Sequence, residues 1–338
     1  MKPGYRNPIQ DLPQEQFDFI LVLLDPPDLL ACSLVCRSWH EVASARVFSH
    51  VSFETAKRFC AFSTYLESYS SLRPHIRTLT LGTKPQIGEK KTAVISVDAV
   101  ARIVKLLPRL SEINAWVIEF QMGSLESSEE APPDSQPVPE PKPLKLLRLE
   151  KCSGPNQDGI DGLYPLLKLL SLFRVDTLLL DYAWRTSGSF YSPTSVPEKS
   201  LSIRELHCDF GSIRVLPLLS PLLIPETLRE AEIIVIDLPD YKANAREVFE
   251  FNKVDKVLSN NLYNPRAVIF ILPPAQTELG PLRATFSRLH EAGKLFTAYA
   301  PYPMEGVAHW NPAQYSAGID KIIERTRPKI PPRPALPA

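Results

Sequence analysis

Six histidines and five cysteines are the residues of this 338-residue chain best suited to metal or nucleophile chemistry, and their spacing decides whether they can do it. Cys32 and Cys36 stand four apart, a helical spacing that allows both thiols on one face. A tetrahedral zinc site needs further ligands. No Cys or His lies near enough in sequence to supply them, so both read as small apolar residues. His207 and Cys208 are adjacent in a β-like run, where the pleat sends neighbours to opposite faces and rules out a nucleophile–base pair. His40, His50, His75, His290 and His309 share no ligand spacing. No G-x-S-x-G elbow is present, and no glycine-rich phosphate loop follows a β-like run. Glu129 and Glu130 are a carboxylate pair, but their surroundings, SLESSEEAPPDSQPVPEPKP over 124–143, hold too little apolar surface to fold rigidly. The expected catalytic, cofactor and metal residues are therefore none.

With enzyme chemistry set aside, composition bounds the alternatives. Hydrophobic residues make up 44% and charged residues 22%, enough to bury a sizeable core. Lys+Arg and Asp+Glu are both 38, so no global field gathers nucleic acid or an anionic membrane surface. An odd, scattered cysteine set is not a disulfide framework. The opening residues lack an apolar targeting core, and no apolar run is long enough to span a bilayer. The expected localisation is cytoplasmic, nuclear or both. The 34 prolines against 13 glycines predict many fixed turns and some unstructured chain.

Short β-like runs recur along the chain: 76–81, 112–118, 144–152, 175–182, 203–210 and 228–236, then 267–272 and 294–300. The central residues of the first six are Leu79, Ile113, Leu147, Leu178, Leu206 and Ile233, separated by steps of 34, 34, 31, 28 and 27. Between them lie segments of helical periodicity, at 97–107, 163–173 and 246–258. A strand and a helix repeated about every thirty residues read as stacked units of a solenoid, loosely similar to leucine-rich repeats. Leu144, Leu147 and Leu149 fit L-x-x-L-x-L, and Cys208 takes the third place after Ile203 and Leu206. The asparagine ladder position has no clear occupant, and Cys152 and Cys208 are expected at equivalent inward positions. An ordinary α/β domain with a parallel sheet is the competing architecture. The expected fold class is α/β (α+β overall). The expected divisions are an N-terminal arm at 1–11, a helical cluster at 12–50, and a repeat-like domain at 51–323. Disordered stretches are expected at 124–143 and at 324–338, whose RTRPKIPPRPALPA is basic and proline-rich.

The helical cluster is the most specific segment. Asp11 and Gln14 have capping-box spacing, with Pro13 suited to a first turn. Phe17, Ile20, Leu21 and Leu24 follow on one helical face. Pro26 and Pro27 stop that helix, and Asp28 is expected to cap a second one carrying Leu29, Leu30, Ser33 and Leu34. Val35, Trp39, Val42, Ala43 and Arg46 give a third stripe. Domains under about 40 residues rarely stand without help. Three short helices cannot shelter all these side chains, so the cluster must pack against something else.

The segment LPQEQFDFILVLLDPPDLLACSLVCRSWHEVA, 12–43, resembles an F-box, most distinctively at Leu34-Val35-Cys36-Arg37-Ser38-Trp39. The looser repeats that follow look like those of fungal members of the family. The resemblance implies that Leu12, Pro13, Ile20, Leu24, Leu29, Leu30, Leu34, Val35, Cys36 and Trp39 divide between an interface with the Skp adaptor and the cluster's own core. Leu12, Pro13, Leu29, Leu30 and Val35 are expected to lean to the interface, and Ile20, Leu24 and Trp39 to the core. It further implies a non-catalytic substrate adaptor of an SCF-type ubiquitin ligase. Skp brings cullin and a RING protein, and the second domain holds an unknown protein substrate, so the gain is proximity. No cofactor, nucleic acid or membrane partner is implied. A scaffold acting outside the ligase and an α/β enzyme at 144–301 are the alternatives.

Overall fold

The computed structural model describes residues 16, 19–21, 23–83, 93–122, 140–154, 164–181, 202–209, 233–237, 254–256, 258–259, 265–272, 280–299, 321, 324–326 and 329–330. The fold is mixed α/β around a parallel sheet. Two helices, α1 (Pro26–Ser33) and α2 (Arg37–Val47), precede β1 (His50–Phe53) and α3 (Ala56–Ser68). The strands β2 (Thr78–Leu81), β3 (Ala93–Ser96), β4 (Glu112–Trp116), β5 (Ile118–Gln121), β6 (Lys142–Glu150), β7 (Phe173–Asp181), β8 (Ser202–Asp209), β9 (Ile233–Asp237), β10 (Ala267–Leu272) and β11 (Leu295–Tyr299) follow. Among them lie the helices α4 (Val97–Leu106), α5 (Tyr164–Ser171), α6 (Gly280–Thr285) and α7 (Ser287–Glu291).

Nine strands form one sheet in the order β1-β2-β4-β6-β7-β8-β9-β10-β11, and every neighbouring pair is parallel. Spatial order follows chain order throughout. A doubly wound sheet instead reverses its order at a switch point where ligands bind, and this sheet has no reversal. β3 and β5 pair separately as a short parallel ribbon. The type of each strand follows from its residues. β10, AVIFIL, is apolar throughout and buried at every position, as a central parallel strand must be when both its faces are covered.

The register turns the sequence periodicity into geometry. Val51, Leu79, Ile113, Leu147, Leu178, Leu206, Ile234, Val268 and Leu295 are successive partners across the sheet. Two residues further along each strand, Phe53, Leu81, Ala115, Leu149, Leu180, Cys208, Ile236 and Phe270 make a second row. Both rows belong to one core that includes Phe59 and Leu66 of α3, Val100 and Ile103 of α4, Leu166 of α5, Leu282 of α6 and Leu289 of α7. The helices thus cover one face of the sheet. Five of the six expected central residues fall in the first row. Ile233 does not: its partner is Glu205, and Ile234 takes the row position. In a run of consecutive β-branched residues the apolar pattern is the same on both faces, so sequence does not fix the register there.

Several boundaries differ from expectation. Lys142 and Pro143 are not disordered but open β6, paired with Phe173 and Arg174. Lys142 Nζ donates to the Val104 and Leu107 carbonyls at the end of α4. Positions 124–139 lie outside the described residues. Within the expected disordered tail, residues 324–326 are helical, and Thr326 and Ile330 are buried. Cys152 and Cys208 are both buried in the helix-side core, but they are not equivalent. Cys208 shares a row with Leu180, whereas Cys152 follows the end of β6, where its thiol donates to the Ala115 carbonyl at 3.4 Å. Burial pushes that thiol up to about 12. The expected helix at 246–258 is described only at 254–256 and 258, which are helical.

Candidate functional site

The N-terminal helices have a small core of their own. Leu21 and Leu29 are buried, and Leu24, Cys32, Trp39, Val42 and Val47 pack against them. Local chemistry fixes this arrangement. Asp25 is extended and stands at the N-cap of α1, with prolines at the first two helical positions. Pro26 and Pro27 therefore start the second helix, where a missing N–H costs nothing, and Asp28 lies in the first turn instead of capping it. At the other end the Leu34 and Val35 amides donate to the Ala31 and Cys32 carbonyls, both at 3.1 Å. His40 Nδ1 lies 3.0 Å from the Ser33 carbonyl. A carbonyl only accepts, so the ring carries its proton on Nδ1 and ties α2 to the end of α1. The chain between the two helices is thus a tight turn whose Leu34 and Val35 amides both find carbonyl partners.

That turn, α1 and the described residues ahead of α1 leave large apolar side chains exposed. Phe19 is 67% exposed, Ile20 44%, Leu23 71%, Leu30 49%, Leu34 84% and Val35 61%. Six large apolar side chains within seventeen residues of chain form the densest such group among the described residues. Exposed patches of this kind mark interaction sites or aggregation liabilities. A partner that fully covers an exposed Leu or Phe gains roughly 1.5–3 kcal/mol for each. The chain's described later residues leave these six side chains uncovered.

The expected interface and core residues differ in burial. Leu30 and Val35, expected to lean to the interface, are exposed, and Leu24 and Trp39, expected to lean to the core, are half-buried beside Leu21 and Leu29. Leu29 is buried, so it belongs to the core, and Ile20 is exposed, so it does not. Cys36 is half-buried at the N-cap of α2. Leu12 and Pro13 lie outside the described residues. Phe19 and Leu23, absent from the expected set, are exposed members of the patch. The run Phe17-Asp18-Phe19-Ile20-Leu21-Val22-Leu23-Leu24 is apolar nearly all round, the signature of a helix covered on more than one side. That signal was sufficient to find them.

Elsewhere the described residues offer little chemistry. None of them form a group of three or more His, Cys, Asp or Glu able to hold a metal. His207 and Cys208 point to opposite faces, with Cys208 in the helix-side core and His207 3.8 Å from Glu205 on the other face. No described helix is long and apolar enough to cross a membrane. No curated protein matches the chain. Residues 9–54, which hold both short helices and the exposed apolar patch, match the family model described as F-box-like, and this segment is an F-box-like domain.

Proposed function

We propose that this chain is the substrate-recognition adaptor of an SCF-type ubiquitin ligase. One observation carries the reading: an F-box-like domain holds six large apolar side chains outside its own core. The Skp adaptor is the cover. Leu23, Leu30, Leu34 and Val35 supply the contact, and Leu21, Leu29, Leu24 and Trp39 hold the helices that present it. Cullin and a RING protein join through Skp. The chain contributes no catalytic group. It acts by raising the concentration of target lysines near a charged E2.

The second domain, from β1 to β11, is a divergent leucine-rich-repeat array that captures the target. Its support is the strand order, which follows the chain without reversal, and the two rows of inward apolar residues. Leu144, Leu147 and Leu149 fit the L-x-x-L-x-L part of the repeat pattern. The Cys152 thiol, three residues on, donates to the neighbouring strand's Ala115 carbonyl.

The test is co-purification with the Skp adaptor. The wild-type chain is expected to bind, and Leu30→Asp with Leu34→Asp to lose binding by more than tenfold with an unchanged melting temperature. Both side chains are exposed, so the charges cost the free chain little. A wild-type chain that fails to bind, or a double variant that binds equally well, overturns the proposal.

A further inference from the structure

Two of the five cysteines stand inside the docking region. Cys32 lies in the last turn of α1 and Cys36 at the N-cap of α2. Between them are Ser33 and the two most exposed apolar residues of the turn, Leu34 and Val35. The other three cysteines are placed differently. Cys152 and Cys208 are buried in the sheet core, and a thiol pushed up to about 12, as that of Cys152 is, stays protonated and inert at neutral pH. Cys60 is exposed on α3, and the nearest cysteine in the chain is Cys36, 24 positions back.

The turn between the helices keeps Cys36 close to Cys32. The Val35 amide donates to the Cys32 carbonyl at 3.1 Å. A bond of that kind closes a four-residue turn whose ends lie within about 7 Å, and Cys36 follows directly. Both cysteines are half-buried and neither is in a disulfide. Cys32 packs against Leu21 and Leu29, so it is held in place, yet a small oxidant can reach a half-buried thiol. Cys36 begins an 11-residue helix, and helix N-termini favour the thiolate, the form that attacks an oxidant.

We propose that Cys32 and Cys36 are a redox modification site, joined as a disulfide by a peroxide, and that the bond weakens docking on Skp. This rests on the reading above that the turn meets Skp, and it names a regulation of that site. The Cys36 thiolate attacks one peroxide oxygen, the O–O bond breaks, and the second oxygen leaves as water once protonated. The Cys32 thiol then attacks the sulfenic sulfur of Cys36, the S–O bond breaks, and a second water leaves. Two thiols are oxidised to one disulfide, and one hydrogen peroxide is reduced to two waters. The ring so closed spans Ser33, Leu34 and Val35. A disulfide sets its Cα atoms roughly 4.4–6.8 Å apart with a dihedral near 90°. That demand competes with the Val35 bond to Cys32 and the His40 bond to Ser33, which fix the reduced turn. Leu34 and Val35 are the side chains displaced. Skp covers the turn when bound, so the unbound chain is the form oxidised.

The test treats the full-length chain with hydrogen peroxide, then measures Skp affinity and the mass of the tryptic peptide 7–37, which holds both cysteines. In wild type this peptide is expected to lose two hydrogens, Skp affinity to fall at least tenfold, and dithiothreitol to restore both. Cys60→Ala is expected to keep both responses, and Cys32→Ala and Cys36→Ser to give no lighter peptide. The comparison of oxidised with re-reduced wild type needs no variant to fold. Absence of the lighter peptide in wild type overturns the proposal, and so does its formation with unchanged Skp affinity. A reduced wild type that does not bind Skp sinks the adaptor reading and the control of docking with it, and the peptide mass then decides the disulfide by itself.

Discussion

Gly82 shows how one residue fixes a junction between neighbouring strands. It ends β2 at φ +79°, a conformation L side chains rarely adopt, and its amide donates to the Phe53 carbonyl at 2.8 Å. A Cβ there would lie 1.9 Å from the Trp116 carbonyl oxygen, and backbone cannot step aside as a side-chain tip can. Gly82→Ala is therefore expected to cost more than about 2 kcal/mol, from the left-handed strain and the overpacking together. Urea unfolding reads this as a lower midpoint at unchanged slope.

Asp255 is a second residue with a definite expectation. It is 4% exposed, and its two oxygens accept from the Arg288 and Leu289 amides at 3.2 Å, in the first turn of α7. Burial raises its carboxyl above the ordinary 3.8, outweighing the two amide bonds that favour the charged form. A carboxyl raised in the folded state holds its proton more tightly there than in the unfolded chain. Its stabilising contribution is complete below the unfolded value and is lost as pH rises through the folded value. Asp255→Asn removes that titration. The stability of wild type relative to this variant is expected to fall as pH rises from 3.8 upward and then level off, as measured by chemical denaturation across the acid range. A difference that stays flat over that range refutes the assignment. Neither residue was legible beforehand. The need for a glycine at 82 comes from the Trp116 carbonyl, 34 positions away, and the burial of Asp255 from a helix 33 positions away. The F-box-like residues were legible as a set because their spacing is local. Which side of each helix meets the partner was not, since a stripe at helical spacing is the same whether its cover is internal or external.

At the scale of elements, the N-terminal helices separate two kinds of apolar residue that the sequence shows side by side. Leu29 and Leu30 are neighbours, yet one is buried and the other half-exposed. Leu29→Ala is expected to remove about 2–5 kcal/mol from the local stability of the helical pair, the range for a buried Leu→Ala. Amide exchange would then quicken across α1 and α2 while the sheet keeps its protection. Leu34→Asp is expected to leave exchange in both regions unchanged. The strands were the most legible elements: β10 was located to the residue, and β6, β7 and β8 to within two. β1, β3, β5, α3, α6 and α7 were not assigned. The first two are four residues each, too short to show a period. In α3, AKRFCAFSTYLES, the buried Phe59, Ser63 and Leu66 include a hydroxyl, which breaks the apolar stripe in the sequence.

Among the described strands the main sheet runs in one direction, because each of its strands lies beside the next one of that sheet in chain order. In such an array each unit is held by its neighbours, so stability is close to a sum of local terms and contacts between adjacent units. This has a consequence for the insertion between β5 and β6. β4 and β6 are neighbours in register from Glu112↔Leu146 to Trp116↔Glu150, and Val117 donates to the Glu150 carbonyl at 2.9 Å. These contacts use nothing from 124–139. The closure entropy of a flexible connection changes by only about 0.6 kcal/mol for each halving of its length. Replacing residues 126–137 by four Gly/Ser residues is therefore expected to shift the unfolding free energy by less than about 1 kcal/mol, by the same scaling. Skp co-purification should be untouched. A larger loss in a denaturant titration would mean that the acidic, proline-rich stretch makes contacts that the array depends on, and the sum-of-neighbours description of this sheet would have to be abandoned.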